Sequence, residues 1–248
     1  MLPVVLFVIG VGAGGFGALL GVGGGALLVP ALVLVTHVSF PVAVGTSLVC
    51  VVATSVAGSA VRFSHHAVDV RVAVRLQTFA VVGAVAGALV APAVPVAALH
   101  VAFGLFLLLT AWSIWPRTTA ISWSRHPSGL LAGGGAAVGG GVASLLGVGG
   151  GIVFTPVLHL LVGLDFHKAA ATSVFLIGIT AGSGALIYLA RGTVELPLVG
   201  PTLLGMLLGA MSASTVAHRV SARWLKRTFA VLLAYVAVRM LLEGHGGA

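Results

Sequence analysis

The sequence predicts an all-α polytopic membrane protein built from two inverted-topology repeats of about five helical elements each. Three observations predict it. The first is composition: of 248 residues, 59% are hydrophobic and only 6% charged, with a mean hydropathy of +1.22, whereas soluble chains carry about 25% charged residues. The second is that apolar runs of about 20 residues, enough to cross ~30 Å of hydrocarbon, recur from end to end without the alternation of barrel strands. The third is a duplication. Leu19-Leu20-Gly21-Val22-Gly23-Gly24-Gly25, with Pro30 after it, returns as Leu145-Leu146-Gly147-Val148-Gly149-Gly150-Gly151 with Pro156 after it, an offset of 126 (147 − 21).

Composition also excludes several classes. A formal charge of +8 does not mark a nucleic-acid binder here, because the twelve Lys and Arg residues are spread over short loops between apolar runs, the pattern that orients membrane proteins. One cysteine, Cys50, excludes an intramolecular disulfide and any multi-cysteine metal site. Met1-Leu2-Pro3-Val4 has no basic n-region and reads as the start of the first span. No Walker A loop is present, so energy from ATP would need another chain.

Taken in order, residues 3–20 read as a first helix that ends at the Gly21–Gly25 break. A short apolar element over 26–36 is too brief to span upright. Phe40-Pro41 opens a third element, 41–62, followed by a polar loop with Arg62, His65, His66, Asp69, Arg71 and Arg75. The fourth, 73–92, is rich in small residues that let membrane helices approach closely. Pro92 to Pro95 make a turn into the fifth, 97–115, whose end carries Trp112 and Trp115, with Trp123 beyond, as an interfacial belt. The hydrophilic stretch 116–127 separates a first repeat (1–115) from a second (128–248). There the pattern restarts: helix 128–146, break 147–151, short element 152–162, then spans 167–190, 195–217 and 222–242.

The duplication extends well beyond the glycines. At constant offset, residues 19–47 match their counterparts at 14 of 29 positions. Thr46-Ser47 meet Thr172-Ser173, Gly83 meets Gly209, and Phe103 meets Phe229. Five elements is an odd number, so the halves should lie inverted. With loop 62–75 inside, Arg62, Arg71, Arg75, Arg117, Arg125, Lys168, Arg219, Arg223, Lys226 and Arg227 fall on the cytoplasmic side, leaving only Arg191 and Arg239 outside. That bias makes 116–127 a cytoplasmic linker and both termini extracytoplasmic. If each helix–break–short-element unit were instead one broken crossing, the halves would be parallel.

Glycine costs about 1 kcal/mol relative to alanine inside a helix, so two matched glycine breaks need a reason. One reason is a tight turn between packed helices. The other is that a helix broken near the midplane presents unpaired N–H groups and a positive dipole end to an anion. Thr46-Ser47 and Thr172-Ser173 either bond neighbouring helices or act as neutral donors to a bound oxyanion. The four acids, Asp69, Asp165, Glu195 and Glu243, all fall at predicted span ends, and no Lys or Arg falls at a span centre. A cation would find no partner there; an anion would meet backbone dipoles and hydroxyls. His159 is the ionisable side chain inside a short element, either bonded to a neighbouring carbonyl or acting as a gate or proton sensor. Cys50, opposite Leu176, reads as a small buried residue. Ser183 in Gly182-Ser183-Gly184 has no evident histidine partner, so an enzyme is not expected.

The doubled Gly-Val-Gly-Gly-Gly-x4-Pro with a Thr-Ser pair in each half resembles the sulfite exporter TauE/SafE family of bacterial membrane permeases, over residues 10–242. The resemblance implies transport of small sulfur-containing anions, such as sulfite, sulfoacetate or thiosulfate, across the cytoplasmic membrane, with export as the expected direction. It places the family motif on Gly21, Gly23, Gly24, Gly25, Pro30, Thr46 and Ser47, and on Gly147, Gly149, Gly150, Gly151, Pro156, Thr172 and Ser173. Ala171, where the first half has Gly45, departs from the repeat. The expected mechanism is alternating access, with an anion channel as the alternative. Expected partners are a small anionic substrate, the lipid bilayer and a second copy in a homodimer, with no cofactor, metal or nucleic acid.

Overall fold

A computed structural model describes residues 2–20, 23–64, 68–114, 129–216 and 222–246. Every regular element among them is helical: α1 (Leu2–Leu20), α2 (Gly25–Thr36), α3 (Phe40–Ser64), α4 (Val70–Val90), α5 (Val96–Ile114), α6 (Gly129–Leu146), α7 (Gly151–Pro156), α8 (Phe166–Ala190), α9 (Leu196–Val216) and α10 (Ala222–Gly246). Among the described residues, five helices are long and apolar enough to cross a bilayer, and shorter apolar helices lie between them. The chain is an all-α polytopic membrane protein. His65, His66, Trp115, Trp123 and the 116–127 linker fall outside the described residues.

Local chemistry sets the helix boundaries. Asp69 caps α4 by accepting the Val72 N–H at 3.1 Å, and Asp165 caps α8 by accepting the His167 N–H at 3.1 Å. Glu195 occupies the residue before α9, where its carbonyl accepts from Leu198 and Val199. Three of the four acids thus serve helix starts. Arg191 closes the far end of α4, its guanidinium donating to the Ala88 carbonyl at 2.7 Å and the Leu89 carbonyl at 3.4 Å. The two short elements end alike in left-handed residues, His37 (φ 54°) after α2 and its repeat counterpart Gly163 (φ 81°).

One difference between the halves was not expected from the sequence. The first short element is an unbroken α-helix through Pro30, but after Pro156 the second widens into a π-helical turn over Val157–Leu161. Its wider ladder is visible in the Val162 N–H bond to the Val157 carbonyl. His159, which replaces Val33 of the first copy, stands there with Nδ1 2.8 Å from the Leu164 carbonyl oxygen, a geometry in which Nδ1 donates.

Packing links the halves rather than separating them. The first helix of each half lies parallel to the fourth helix of the other, along faces of small residues. On α1, a Cβ at Gly14 would overlap the Met206 backbone of α9; on α6, a Cβ at Gly140 would overlap the Ala80 backbone of α4. Those two contacts are counterparts at the offset of 126, as are Gly209 on Val11 and Gly83 on Ala137. Such close approach gives dense van der Waals contact, the main source of helix association in lipid. The third helices, α3 and α8, cross antiparallel: Leu48 meets Gly184, Val52 meets Gly182 and Ser55 meets Gly178. Phe103 and Phe229, counterparts on α5 and α10, are fully buried.

Substituting Gly14 or Gly140 by Val should lower the thermal midpoint in detergent markedly, since overpacking against backbone costs about 1–3 kcal/mol. Gly12→Val, on the same helix but with open space around it, should leave the midpoint within error.

Candidate functional site at the paired glycine breaks

The breaks are built from glycines whose backbone L-residues rarely adopt. Gly23 (φ 85°), Gly24 (φ 80°), Gly147 (φ 71°), Gly149 (φ 76°) and Gly150 (φ 80°) are all left-handed, which glycine adopts without steric cost. Gly21 lies outside the described residues. Gly24 and Gly150 are the residues from which α2 and α7 start: the Gly24 carbonyl accepts from Leu27 and Leu28, and the Gly150 carbonyl accepts from Val153 and Phe154. The N–H groups one and two residues into each helix, at Gly25 and Ala26 and at Gly151 and Ile152, therefore lie outside the helical ladder.

The two breaks occupy one place in the molecule. Gly23 and Gly149 both face the same two side chains, Val51 of α3 and Ile177 of α8, which are themselves repeat counterparts and fully buried. Gly25, at the start of α2, rests on the backbone of the other break: a Cβ there would stand 2.5 Å from the Gly147 carbonyl oxygen and 3.1 Å from Ser47 Oγ. Gly147 in turn packs on Val29 and Val44 of the first half.

The four hydroxyl residues each have no exposed surface; Ser47 and Ser173 bond to the segments of the breaks, with Thr46 and Thr172 beside them in sequence, and their bonding differs. Ser47 Oγ donates to the Gly147 carbonyl at 2.7 Å, tying α3 to the opposite break. Ser173 Oγ accepts from Thr155 Oγ1 at 3.0 Å, tying α8 to α7. Thr172 Oγ1 accepts the Asp69 backbone N–H at 3.0 Å. Thr46 Oγ1 is buried without a hydrogen-bond partner. Among the described residues, every fully buried polar side chain is Ser or Thr. The junction thus offers neutral hydroxyls and helix starts and no formal charge, which suits an anion held by dipoles.

His159 is not part of this junction. It lies eight residues beyond Gly151 with its ring exposed. Ser183 donates to its own helix at the Ile179 carbonyl, 2.9 Å away, and is half-buried. Gly45 is explained by a close approach: a Cβ would come within 2.9 Å of Val194 Cγ2, 3.2 Å of Tyr188 Cβ and 3.3 Å of the Thr193 carbonyl oxygen. Sequence reasoning missed the apolar pair Val51–Ile177, although its spacing equals the repeat offset. It also missed Thr155, whose repeat counterpart is Val29, so the duplication itself hid it.

These features define a class: a polytopic helical membrane protein whose two like halves bring paired broken helices to one buried, uncharged junction. The family described as sulfite exporter TauE/SafE matches residues 6–240, and the chain belongs to that family. It is similar to the probable membrane transporter protein YunE of Bacillus subtilis (strain 168), 24% identical over 97% of this chain and 98% of that protein. It is also similar to YdhB of the same organism, another probable membrane transporter, 24% identical over 85% of this chain and 86% of that protein. No solved structure gives a significant match.

Gly149 and Gly163 share nearly the same left-handed backbone, yet Gly149 is crowded by Val51 while Gly163 has open space. Gly149→Ala should therefore destabilise the protein more than Gly163→Ala, by about 1–3 kcal/mol of overpacking beyond their common strain. Denaturation midpoints of the two variants in the same detergent would check this.

Proposed function

We propose that the chain is a secondary carrier that exports small sulfur-containing oxyanions, such as sulfite or sulfoacetate, by alternating access between inverted halves. The observation that carries this reading is the convergence of both glycine breaks on Val51 and Ile177, with Ser47 and Ser173 bonded beside them, Thr46 and Thr172 next to these in sequence and fully buried, and no charged side chain among the fully buried described residues. Helix starts and hydroxyls bind an oxyanion without the deep well that a buried Lys or Arg would create, so it can be released.

Inversion is supported by the antiparallel crossing of the counterpart helices α3 and α8 and by contacts that recur at the repeat offset. The outward direction and sulfur chemistry are supported by the family's description. An open anion channel is disfavoured by the fully buried Val51 and Ile177 between the breaks. With the basic loops on the cytoplasmic side, both termini are extracytoplasmic; a cysteine placed at either end should react with an impermeant maleimide added outside intact cells.

In sealed vesicles, labelled sulfite or sulfoacetate should exchange for unlabelled substrate on the far side. Flux without trans-stimulation would mark a channel, and flux equal to that of empty vesicles under every gradient would sink the anion reading. Gly24→Leu combined with Gly150→Leu should abolish flux while membrane insertion persists, because both positions are left-handed and a Cβ meets Ala13 O or the Phe154 ring at 2.8 Å.

A further inference from the structure

The seams on which the two Thr-Ser pairs lie are repeat counterparts, yet they are not in the same state. Between α4 and α8 three bonds hold one register, each joining residues 103 apart in sequence: Asp69 N–H to Thr172 Oγ1, Gln77 Nε2 to Thr180 Oγ1, and Arg191 Nη1 to the Ala88 carbonyl. The counterpart seam joins α9 to α3, and there the first two bonds would pair Glu195 with Thr46 and Leu203 with Thr54. Leu203 has no hydrogen-bonding group, and Thr54 Oγ1 turns to its own helix at the Cys50 and Val51 carbonyls, 3.2 and 3.1 Å away. Thr46 Oγ1 is fully buried and has no partner.

The threonine of an identical Thr-Ser pair at the same position of a counterpart helix is thus satisfied in one half and orphaned in the other. A buried orphan hydroxyl is unfavourable in a membrane interior, and sequence does not explain it, because the group that fills the role at Thr172 is a backbone N–H that every residue except proline possesses. Glu195 stands ahead of α9 as Asp69 stands ahead of α4. It is also near: Gly45, beside Thr46, already touches Thr193 and Val194.

We infer that Thr46 and Thr172 are alternating latches on the substrate site. In this conformation the Asp69 N–H holds Thr172 and closes the α4–α8 seam, while the Thr46 hydroxyl is released to an oxygen of the bound anion. In the opposite-facing conformation the Glu195 N–H takes Thr46, and Thr172 is released in its turn. The inference rests on the carrier reading above and deepens it by assigning one hydroxyl to the substrate in each state. Gln77 has no equivalent at the other seam, because Leu203 stands in its place, so the two latches need not be equally strong.

The test is site-resolved hydrogen–deuterium exchange on the full-length protein in lipid nanodiscs, read at the Asp69 and Glu195 amides. A hydrogen bond of ordinary net worth shifts a two-state equilibrium about fivefold. Thr172→Val should therefore speed exchange at Asp69 and slow it at Glu195 by about that factor, and Thr46→Val should do the reverse. Thr172→Ser and Thr46→Ser, which keep the hydroxyl, should exchange like the wild type. If either valine change alters only its own seam, or moves both amides in the same direction, the latch is wrong. Sulfite and sulfoacetate flux, measured on the same variants in vesicles, keeps the two ideas apart. Reciprocal exchange in a wild-type protein that carries neither anion would leave the latch standing and remove the anion reading; anion flux without reciprocal exchange would do the opposite.

Discussion

A helix interrupted inside hydrocarbon leaves backbone N–H and C=O groups that lipid cannot satisfy, and the structure is arranged around that constraint. The two interruptions are buried against each other. Ser47 takes up the Gly147 carbonyl, Gly25 seats on the same peptide, and Val51 and Ile177 close the apolar side of both breaks. Glycine is needed twice over, for left-handed backbone and for an approach so close that a single carbon would obstruct it. Around this centre the longer helices are fastened by small-residue faces that bring backbone against backbone.

Charge is placed by the same logic. Among the described residues, Asp69, Asp165 and Glu195 sit at helix starts, and Arg191 is engaged with the exposed carbonyls at the end of α4. These four residues complete helix ends, and among the described residues every fully buried polar side chain is Ser or Thr.

Much of this was legible in the sequence, for identifiable reasons. Membrane spans are long, uninterrupted apolar runs, so their boundaries came within a few residues. The breaks were legible because glycine clusters have no other reason to stand in such runs, and the duplication because its offset never shifts. What was hidden is tertiary. Periodicity says that the Gly14 and Gly140 faces want close neighbours but does not name α9 and α4 as those neighbours. The widened turn at His159, with its bond to Leu164, is not announced by composition, since the first copy runs as plain α-helix past the equivalent Pro30. Thr46 and Thr172 are identical as sequence; only the backbone across from each tells them apart.

The crossed pairing of α1 with α9 and α4 with α6 bears on how such a chain arose. A half-length ancestor would have carried its first and fourth helices with much of their small faces uncovered, since in the present fold Gly10 and Gly14 of α1 and Gly140 of α6 pack on the other half, while Gly17 and Gly139 pack on their own. Its stable form would have been a pair of identical chains, each clasping the other. Fusion of two such copies would join partners that already depended on one another rather than two self-sufficient modules, and would leave each copy free to diverge, as Gln77 differs from Leu203 and Thr155 from Val29.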